Sequence, residues 1–384
     1  MTITPRGIGL LVGAALLLLA GFGFGYAELA LLGTTAAIAV ACAAGNAAWR
    51  PRLDVHRVAD PDRVGRGEPA TMTLTVRNTG RLRSANLIAE DRCGNRPVAV
   101  PLLRLRPGRD TTVSYPVPTH RRGVIPVGPL RVTGRDALGL ITVARSHGHT
   151  AQVWVHPRIH PLTAVPAGVA RSMDGRVDRV PHGSITFDSL REYVVGDELR
   201  RVHWRTSARV GELMVRENLD TSLPQIVVLL DNRAGAHPER VDGVAETFES
   251  ACEAAASVVA AARREDLPIT LLLVADADGT GDFLDRLAAV DLAPGPRGGD
   301  DDPLRTATTR LRQERLGDTL VFLTGPGARP DLGHLGGLRT AYPSVVVGVF
   351  GAREETPIGA AGMVVIDAQD GAEFAAEWDG VRRW

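Results

Sequence analysis

The sequence contains no lysine, so all 44 of its basic residues are arginines. A P-loop nucleotide site needs a lysine against the phosphates, and Schiff-base enzymes and protein kinases each need one as well. The absence of lysine therefore excludes these three classes. An all-arginine chain rich in Ala, Gly, Val and Pro is typical of a GC-rich bacterial genome.

Cysteine and net charge are also scarce. The three cysteines, Cys42, Cys93 and Cys252, are far apart and odd in number, so they predict neither a CxxC site nor a disulfide framework. Free cysteines fit a reducing compartment. The 44 acidic residues cancel the 44 basic ones, and no excess positive charge attracts nucleic acid. We therefore expect no nucleic-acid partner.

The first 52 residues predict a transmembrane helical hairpin. Residues 7–26 and 29–49 carry no charge, and each is long enough to span a bilayer as a helix. Arg6 precedes the first segment, Arg50 and Arg52 follow the second, and Glu28 lies in the turn. The positive-inside rule then places both ends in the cytoplasm. A cleaved signal peptide is the alternative, but its apolar region is normally shorter. We expect an inner-membrane protein whose bulk is cytoplasmic.

Residues 53–160 predict a β-sandwich-like domain. Met72, Leu74 and Val76 alternate with polar residues, which is typical of a strand with one buried face. Further short strand candidates recur between Gly and Pro residues. No pattern in this segment indicates chemistry.

Residues 224–384 predict an α/β, Rossmann-like domain. A continuous apolar run over 226–231 is typical of a strand buried on both faces. Alternating strands and helices predict a parallel sheet covered on both faces, which makes the whole chain an α+β multidomain protein. We expect further strands at 269–276, 318–325, 344–351 and 362–367, and helices at 241–264, 302–315, 335–342 and 372–381.

Ligand sites in such sheets lie at the carboxyl ends of the strands, where Asp231 and Thr324 are expected. The pattern resembles the von Willebrand factor A fold, whose metal loop reads Asp-x-Ser-x-Ser. Here Arg233 and Gly235 occupy both serine positions, and an arginine repels a cation. We therefore expect a degenerate metal loop, with Asp231 capping a loop or helix and no metal bound.

The run LREYVVGDELRRVHWRTSAR at residues 190–209 holds acids, arginines, a histidine, a tryptophan and a tyrosine close together. Asp197 is predicted to cap a helix from 198 to about 210, with Arg201, Arg205 and Arg209 on one face. Residues 187–217 hold six arginines and six acids, a balance that favours internal ion pairing.

Three interpretations of this run compete. Glu192, Asp197 and His203 offer acid–base chemistry, although no GxSxG or HExxH motif accompanies them. An arginine stripe with Trp204 offers nucleic-acid binding, which the neutral charge disfavours. In the third, Tyr193 and Trp204 bury their rings while arginines pair with carboxylates, forming a brace or an interface.

The run resembles the signature of the family called domain of unknown function 58. The matching positions are Leu190, Arg191, Glu192, Tyr193, Gly196, Asp197, Arg200, His203, Trp204, Ser207, Ala208 and Arg209. Shorter resemblances lie upstream, at residues 121–123 and 134–140. The resemblance implies a membrane hairpin, a β-rich segment and a von Willebrand A-like domain, with a MoxR-type AAA+ ATPase and other membrane proteins as partners.

Four histidines, His147, His149, His156 and His160, fall within 14 residues of one another. Zinc would need four converging ligands, and neither a cysteine nor a helical HxxxH arrangement is available here. We expect solvated linker histidines.

The residues and the resemblance together predict a membrane-anchored cytoplasmic scaffold or adaptor. Its α/β domain would bind partners, and the motif within the linker at 161–223 would brace that domain or form part of the interface. We expect no catalytic residue and no cofactor. The alternative is a hydrolase-type enzyme that uses Glu192, Asp197 and His203.

Overall fold

A computed structural model describes residues 2–48, 52–80, 85–135, 138–163, 169–171, 177–179, 189–194, 202–217, 225–275, 279, 281–295, 302–351 and 362–381. The chain forms two compact units, Met1–His156 and Pro157–Trp384. Each unit is described by itself.

The first unit begins with the predicted helical hairpin. Its helices are α1 (Pro5–Phe24) and α2 (Ala27–Ala48). Both are long and apolar enough to cross a membrane. Small residues let them approach closely: a Cβ on Gly21 would lie 2.5 Å from the backbone nitrogen of Ala30, and one on Gly33 would lie 2.7 Å from Leu18.

The rest of this unit is a largely antiparallel β-domain, as expected. Its strands are β1 (Thr2–Ile3), β2 (Leu53–Asp60), β3 (Arg63–Gly65), β4 (Thr71–Asn78), β5 (Ala85–Cys93), β6 (Arg96–Leu105), β7 (Asp110–Pro116), β8 (Gly123–Val127), β9 (Leu130–Arg135), β10 (Ile141–His147) and β11 (Ala151–His156).

These strands form two sheets that share one core. One sheet has the order β2-β4-β7, and the other follows β1-β10-β9-β5-β8-β11-β3, with β6 beside β5. Met72, Leu74 and Val76 of β4 are fully buried and belong to the same apolar cluster as Val153 of β11. The period-two pattern of the sequence therefore identified the inward face of β4 correctly.

A buried ion pair connects the two sheets. Arg57 of β2 donates to both carboxylate oxygens of Asp91 of β5, at 3.1 and 2.8 Å. The Tyr115 hydroxyl of β7 donates to the same carboxylate at 2.7 Å. Arg57 also donates to the carbonyl oxygen of His149, so each of its three guanidinium nitrogens has an acceptor. We call Arg57, Asp91 and Tyr115 the sandwich clamp.

The base of the hairpin is joined to the β-domain. β1 pairs with β10, and α1 begins only two residues after β1. Thr4 caps α1 through the backbone nitrogen of Gly7, and its hydroxyl also donates to the carbonyl oxygen of Gly139 at 2.8 Å. Ala43 of α2 packs with Leu140 and Ile141, so both helices contact the β-domain at their bases.

The second unit opens with small elements and continues with an α/β domain. The small elements are β12 (Val169–Arg171), β13 (Val177–Arg179), β14 (Ser189–Glu192), α3 (Trp204–Val210) and β15 (Met214–Glu217). The α/β strands are β16 (Ile226–Leu230), β17 (Ile269–Leu273), β18 (Thr319–Thr324), β19 (Ser344–Phe350) and β20 (Val364–Ala368). Its helices are α4 (Glu246–Arg264), α5 (Phe283–Ala289), α6 (Pro303–Glu314), α7 (Leu332–Leu335) and α8 (Gly371–Gly380).

The five strands form the predicted parallel sheet, in the order β17-β16-β18-β19-β20. Every residue of β16 is buried. Val228 packs in a cluster with α4 and α8, whereas Val227 packs in a second cluster with α6 and α7. Helices therefore cover both faces of the sheet, as expected.

Two helix predictions in this domain need correction. α4 begins at Glu246 rather than at 241, because Asp242 and Gly243 take positive φ angles of 50° and 78° and form a tight turn. The helix expected at 335–342 is instead the short α7 followed by a 3-10 turn over Gly336–Thr340.

Candidate functional site at the carboxyl edge of the parallel sheet

The sheet order places a crevice between the carboxyl ends of β16 and β18. The chain leaves β16 toward β17 on one side, and β18 lies on the other, so the connections diverge at this point. Ligands of open α/β sheets bind at such a switch point. Asp231 follows β16 directly and Thr324 ends β18, as the sequence predicted.

Asp231 is fully buried at this edge, with 0% of its surface exposed. The Thr324 hydroxyl donates to its Oδ2 at 2.8 Å, and the backbone nitrogen of Arg233 donates to its Oδ1 at 3.1 Å. Asp231 therefore holds its own loop and ties it to β18. A buried carboxylate also requires an opposite charge.

Arg233 supplies that charge. Its Nε and Nη2 donate to the two carboxylate oxygens of Asp231 at 2.9 and 2.8 Å, a bidentate pair. Nη2 also donates to Asp331 at 3.0 Å, and Nη1 to Asp302 at 3.4 Å. Burial lowers the pKa of Arg233, but its hydrogen bonds to Asp231 and Asp331 outweigh burial and raise it. The guanidinium is therefore a permanent cation.

The three carboxylates around Arg233 come from different segments. Asp231 follows β16, Asp331 ends the turn Pro326–Asp331 after β18, and Asp302 caps α6 through the backbone nitrogen of Leu304. One guanidinium thus holds three segments together. We call Arg233, Asp231, Asp302, Asp331 and Thr324 the sheet-edge cluster.

A buried histidine is hydrogen-bonded to the backbone of the cluster. His237 donates from Nε2 to the carbonyl oxygen of Asp231 at 2.9 Å, and its Nδ1 lies 2.9 Å from the Thr247 hydroxyl. Because the carbonyl can only accept, Nε2 carries a proton, and in the neutral ring Nδ1 accepts from the Thr247 hydroxyl. Burial lowers the pKa of His237, which agrees with a neutral ring.

Glycines allow the loop after β18 to approach the loop after β16. A Cβ on Gly327 would lie 2.1 Å from the carbonyl oxygen of Gly235, and one on Gly325 would lie 2.3 Å from that of Ala236. Only glycine fits at such distances. The same turn carries Arg329, which pairs with Asp367 near the end of β20.

A divalent ion does not fit the residues of this edge. Both carboxylate oxygens of Asp231 already bind the guanidinium of Arg233, which lies where a cation would have to approach. Within the described segments, no group of three or more His, Cys, Asp or Glu side chains has a metal-binding arrangement.

The signature run forms a two-stranded sheet with one additional bridge, in the same unit as this domain. β14 pairs with β15, and Val202 forms a bridge to Val215 on the other side of β15. Met214 therefore has Glu192 opposite it on one side, and it accepts a hydrogen bond from the backbone nitrogen of His203 on the other, at 2.7 Å. The two halves of the run are brought together across β15.

The helix of the run is shorter than predicted. It begins at Trp204, because Val202 is extended in its bridge and His203 is the cap. His203 Nδ1 accepts from the backbone nitrogen of Thr206 at 3.1 Å and contacts its hydroxyl at 2.7 Å. Asp197, the predicted cap, lies outside the described residues, as do Gly196, Arg200 and Arg201.

The two aromatic residues of the run differ. Tyr193 is half-buried, and its backbone nitrogen donates to Leu213. Trp204 is 65% exposed, so the expectation that it buries its ring is wrong. The first position of α3 points the indole away from the core, whereas Ser207, one turn later, is buried. Glu192 and Arg209 are exposed, and of Arg191 only the backbone, in β14, is described.

The expectation of solvated histidines is wrong for His160 and His147 and is confirmed for His149. His160 Nε2 lies 2.9 Å from Glu253, and the backbone nitrogen of His160 donates to the Ser257 hydroxyl. His147 is half-buried, and burial lowers its pKa. His149 is exposed, as predicted.

The fold and this edge define a class of parallel α/β domain in which an arginine-centred ion cluster occupies the switch point. In this class a charged signature run precedes the first strand of the sheet. Residues 189–335 form a DUF58 family domain and match the description "Protein of unknown function DUF58". The match contains the signature run and the whole sheet-edge cluster. The upstream resemblances lie outside it and stay predictions.

Other comparisons add little. No curated protein matches the chain. The CARDB domain of a Pyrococcus furiosus protein, in complex with di-metal ions, is 17% identical over 27% of this chain and 88% of its own length, with a TM-score of 0.21. Cwp6 from Clostridium difficile is 10% identical over 78% of this chain, which spans 38% of Cwp6, with a TM-score of 0.17. Neither likeness carries an argument.

Proposed function

We propose that this protein is a membrane-anchored scaffold that binds protein partners through its DUF58 domain, and that it acts by binding rather than by catalysis. The partner that the family resemblance implies is a MoxR-type AAA+ ATPase. In this proposal the hairpin of α1 and α2 crosses the inner membrane, and the bulk of the chain, including a von Willebrand A-like module, is cytoplasmic.

One observation carries the proposal: the exposed indole of Trp204. Tryptophan is enriched at the centres of protein interfaces, because it offers a large apolar surface and one polar group. A tryptophan that served only as an internal brace would be buried, yet 65% of Trp204 is exposed.

Other apolar side chains on the same small substructure support a binding surface. Val194 follows β14, Val210 ends α3 and Leu213 precedes β15, and all three are exposed. Arg205 and Arg209 of α3 are exposed as well. Exposed apolar residues with arginines beside them are the composition expected of an interface. We call Trp204, Val194, Val210 and Leu213 the signature surface.

The test is a pull-down from native membranes in mild detergent, read by mass spectrometry with and without ATP. We expect wild type to capture a nucleotide-sensitive AAA+ ATPase, and Trp204→Ala to weaken binding by about 2 kcal/mol or more. Val241→Ala is the matched control, because Val241 is equally exposed but lies outside the signature run. Circular dichroism establishes that both variants fold.

Two results would contradict the proposal. Undiminished capture by Trp204→Ala would remove the signature surface from the interface. Capture of no ATPase by wild type under any condition would mean that the implied partner is wrong for this chain.

A further inference from the structure

The sheet-edge cluster has the ligand chemistry of a cation site, but its cation is a side chain. Asp231, Asp302, Asp331 and Thr324 offer carboxylate and hydroxyl oxygens, which are the ligands that hard divalent ions prefer. The guanidinium of Arg233 lies among them and contacts all three carboxylates at 2.8 to 3.4 Å.

The charge balance of the sheet-edge cluster depends on that one side chain. Asp231 is fully buried and the side chain of Arg233 is only 16% exposed, so water screens their interaction little. Without Arg233, one buried carboxylate and two partly exposed ones would lose the cation that contacts all three of them among the described residues. Such a group either takes up a proton or binds a cation.

We infer that Arg233 is a built-in cation that replaces a divalent ion at the switch point and makes this edge independent of metal. The guanidinium ties the loop after β16 to the turn after β18 and to the start of α6, as a shared metal ion would. Replacing Arg233 with a small polar residue would then create a demand for a divalent ion. This inference does not rest on the proposed function, because its measurements involve no partner.

The experiment compares the thermal stability of full-length wild type and Arg233→Ser in detergent, with EDTA and with millimolar Mg²⁺ or Mn²⁺. We expect the midpoint of wild type to be the same in every condition. We expect Arg233→Ser to melt earlier in EDTA and to regain a measurable part of the loss with Mn²⁺. Arg233→Lys keeps a cation, so its midpoint should not respond to metal.

Arg329→Ser is the matched control. Arg329 is a buried arginine at the same edge, where it pairs with Asp367 rather than with the three carboxylates around Arg233. Its loss should lower stability without creating a response to Mn²⁺. An equal response in this control would mean that the ions act nonspecifically, and it would overturn the inference.

Two other results would also overturn it: an Arg233→Ser protein that no divalent ion stabilises, or a wild-type protein that binds Mn²⁺ at this edge. The second is measured directly by Mn²⁺ electron paramagnetic resonance, with Asp231→Asn showing whether the signal belongs to the cluster. It needs no Arg233→Ser protein, so the inference stays testable if that variant does not fold.

Discussion

Each unit of the molecule contains a buried bidentate arginine–aspartate pair, and the two pairs differ in what surrounds them. In the sandwich clamp, the Arg57 and Asp91 side chains are 4% and 0% exposed, and the partners come from two facing sheets. In the sheet-edge cluster, Arg233 and Asp231 are two residues apart, and Asp302 and Asp331 add two partly exposed carboxylates. The Arg57 pair is enclosed by protein and includes one carboxylate. The Arg233 pair is partly exposed to solvent, and its arginine contacts three carboxylates.

This difference separates a structural role from the geometry of a site. Each polar group of the sandwich clamp is hydrogen-bonded within the protein, and these hydrogen bonds tie the two sheets to each other. The sheet-edge cluster has the same core pair, but it lies at a switch point, where α/β folds place ligands. Burial and pairing alone therefore do not identify a site; the topology and the extra carboxylates do.

The largest expected effect comes from breaking the sandwich clamp. Asp91→Ala leaves the Arg57 charge buried without its carboxylate and removes the acceptor of Tyr115. We expect the free energy of unfolding of the β-domain to fall by about 3 to 5 kcal/mol. Hydrogen exchange by mass spectrometry on the full-length protein would show it as lost protection in β2 and β5.

Asp54→Ala is the control for this variant, because Asp54 is exposed on the same strand as Arg57. It should change stability by no more than about 0.5 kcal/mol. If β2 and β5 stay protected in Asp91→Ala, the clamp does not hold the two sheets together.

A smaller effect is expected from separating the loops of the sheet-edge cluster. Gly327→Ala places a Cβ against the carbonyl oxygen of Gly235, so the two loops must move apart. Overpacking of this kind costs about 1 to 3 kcal/mol. We expect earlier thermal unfolding and faster exchange in residues 231–237, while the β-domain is unchanged.

Gly333→Ala is the matched control, since a Cβ there meets no atom within 4 Å. Equal behaviour of the two glycine variants would mean that the close approach of the loops is unimportant to stability.

The smallest effect is a pH dependence of the α/β domain that comes from His237, beside the sheet-edge cluster. Burial holds the pKa of His237 below its ordinary value of 6.5. The unfolded chain therefore takes up a proton at a higher pH than the folded domain does. Stability is complete above that ordinary value and declines as the pH falls from it toward the lower folded pKa.

Thermal unfolding between about pH 7.5 and about pH 5.5 measures this decline. His237→Gln should flatten it for the α/β domain, whereas His149→Gln, at an exposed histidine, should not. A decline that persists in His237→Gln would assign the titration to another group.

The sequence predicted the elements whose periodicity is strong. The apolar run of β16 and the alternation of β4 follow directly from burial on two faces or on one, so both were identified. α5 was missed because it has only seven residues, and the start of α4 was misplaced because a short-range turn at Asp242 and Gly243 interrupts the apolar pattern.

The candidate site was predicted in position but not in composition. Strand ends located Asp231 and Thr324, and the sequence identified Arg233 as a departure from a metal loop. No sequence pattern predicted that Asp302, Asp331 and His237 lie near Asp231, because the loops that carry them follow paths that depend on tertiary packing. The exposure of Trp204 was mispredicted, because a pattern of residue types does not determine which way the first turn of a short helix faces.

The junction at Thr4 couples α1 directly to the β-domain. This single residue directly follows β1, which belongs to the β-sheet, and caps a helix of the hairpin, and it is also hydrogen-bonded to Gly139 and Leu140. Only Thr4 lies between β1 and α1, so no flexible linker separates this helix from the sheet. If the hairpin crosses a bilayer, this junction would hold the β-domain next to the membrane surface rather than at the end of a flexible linker.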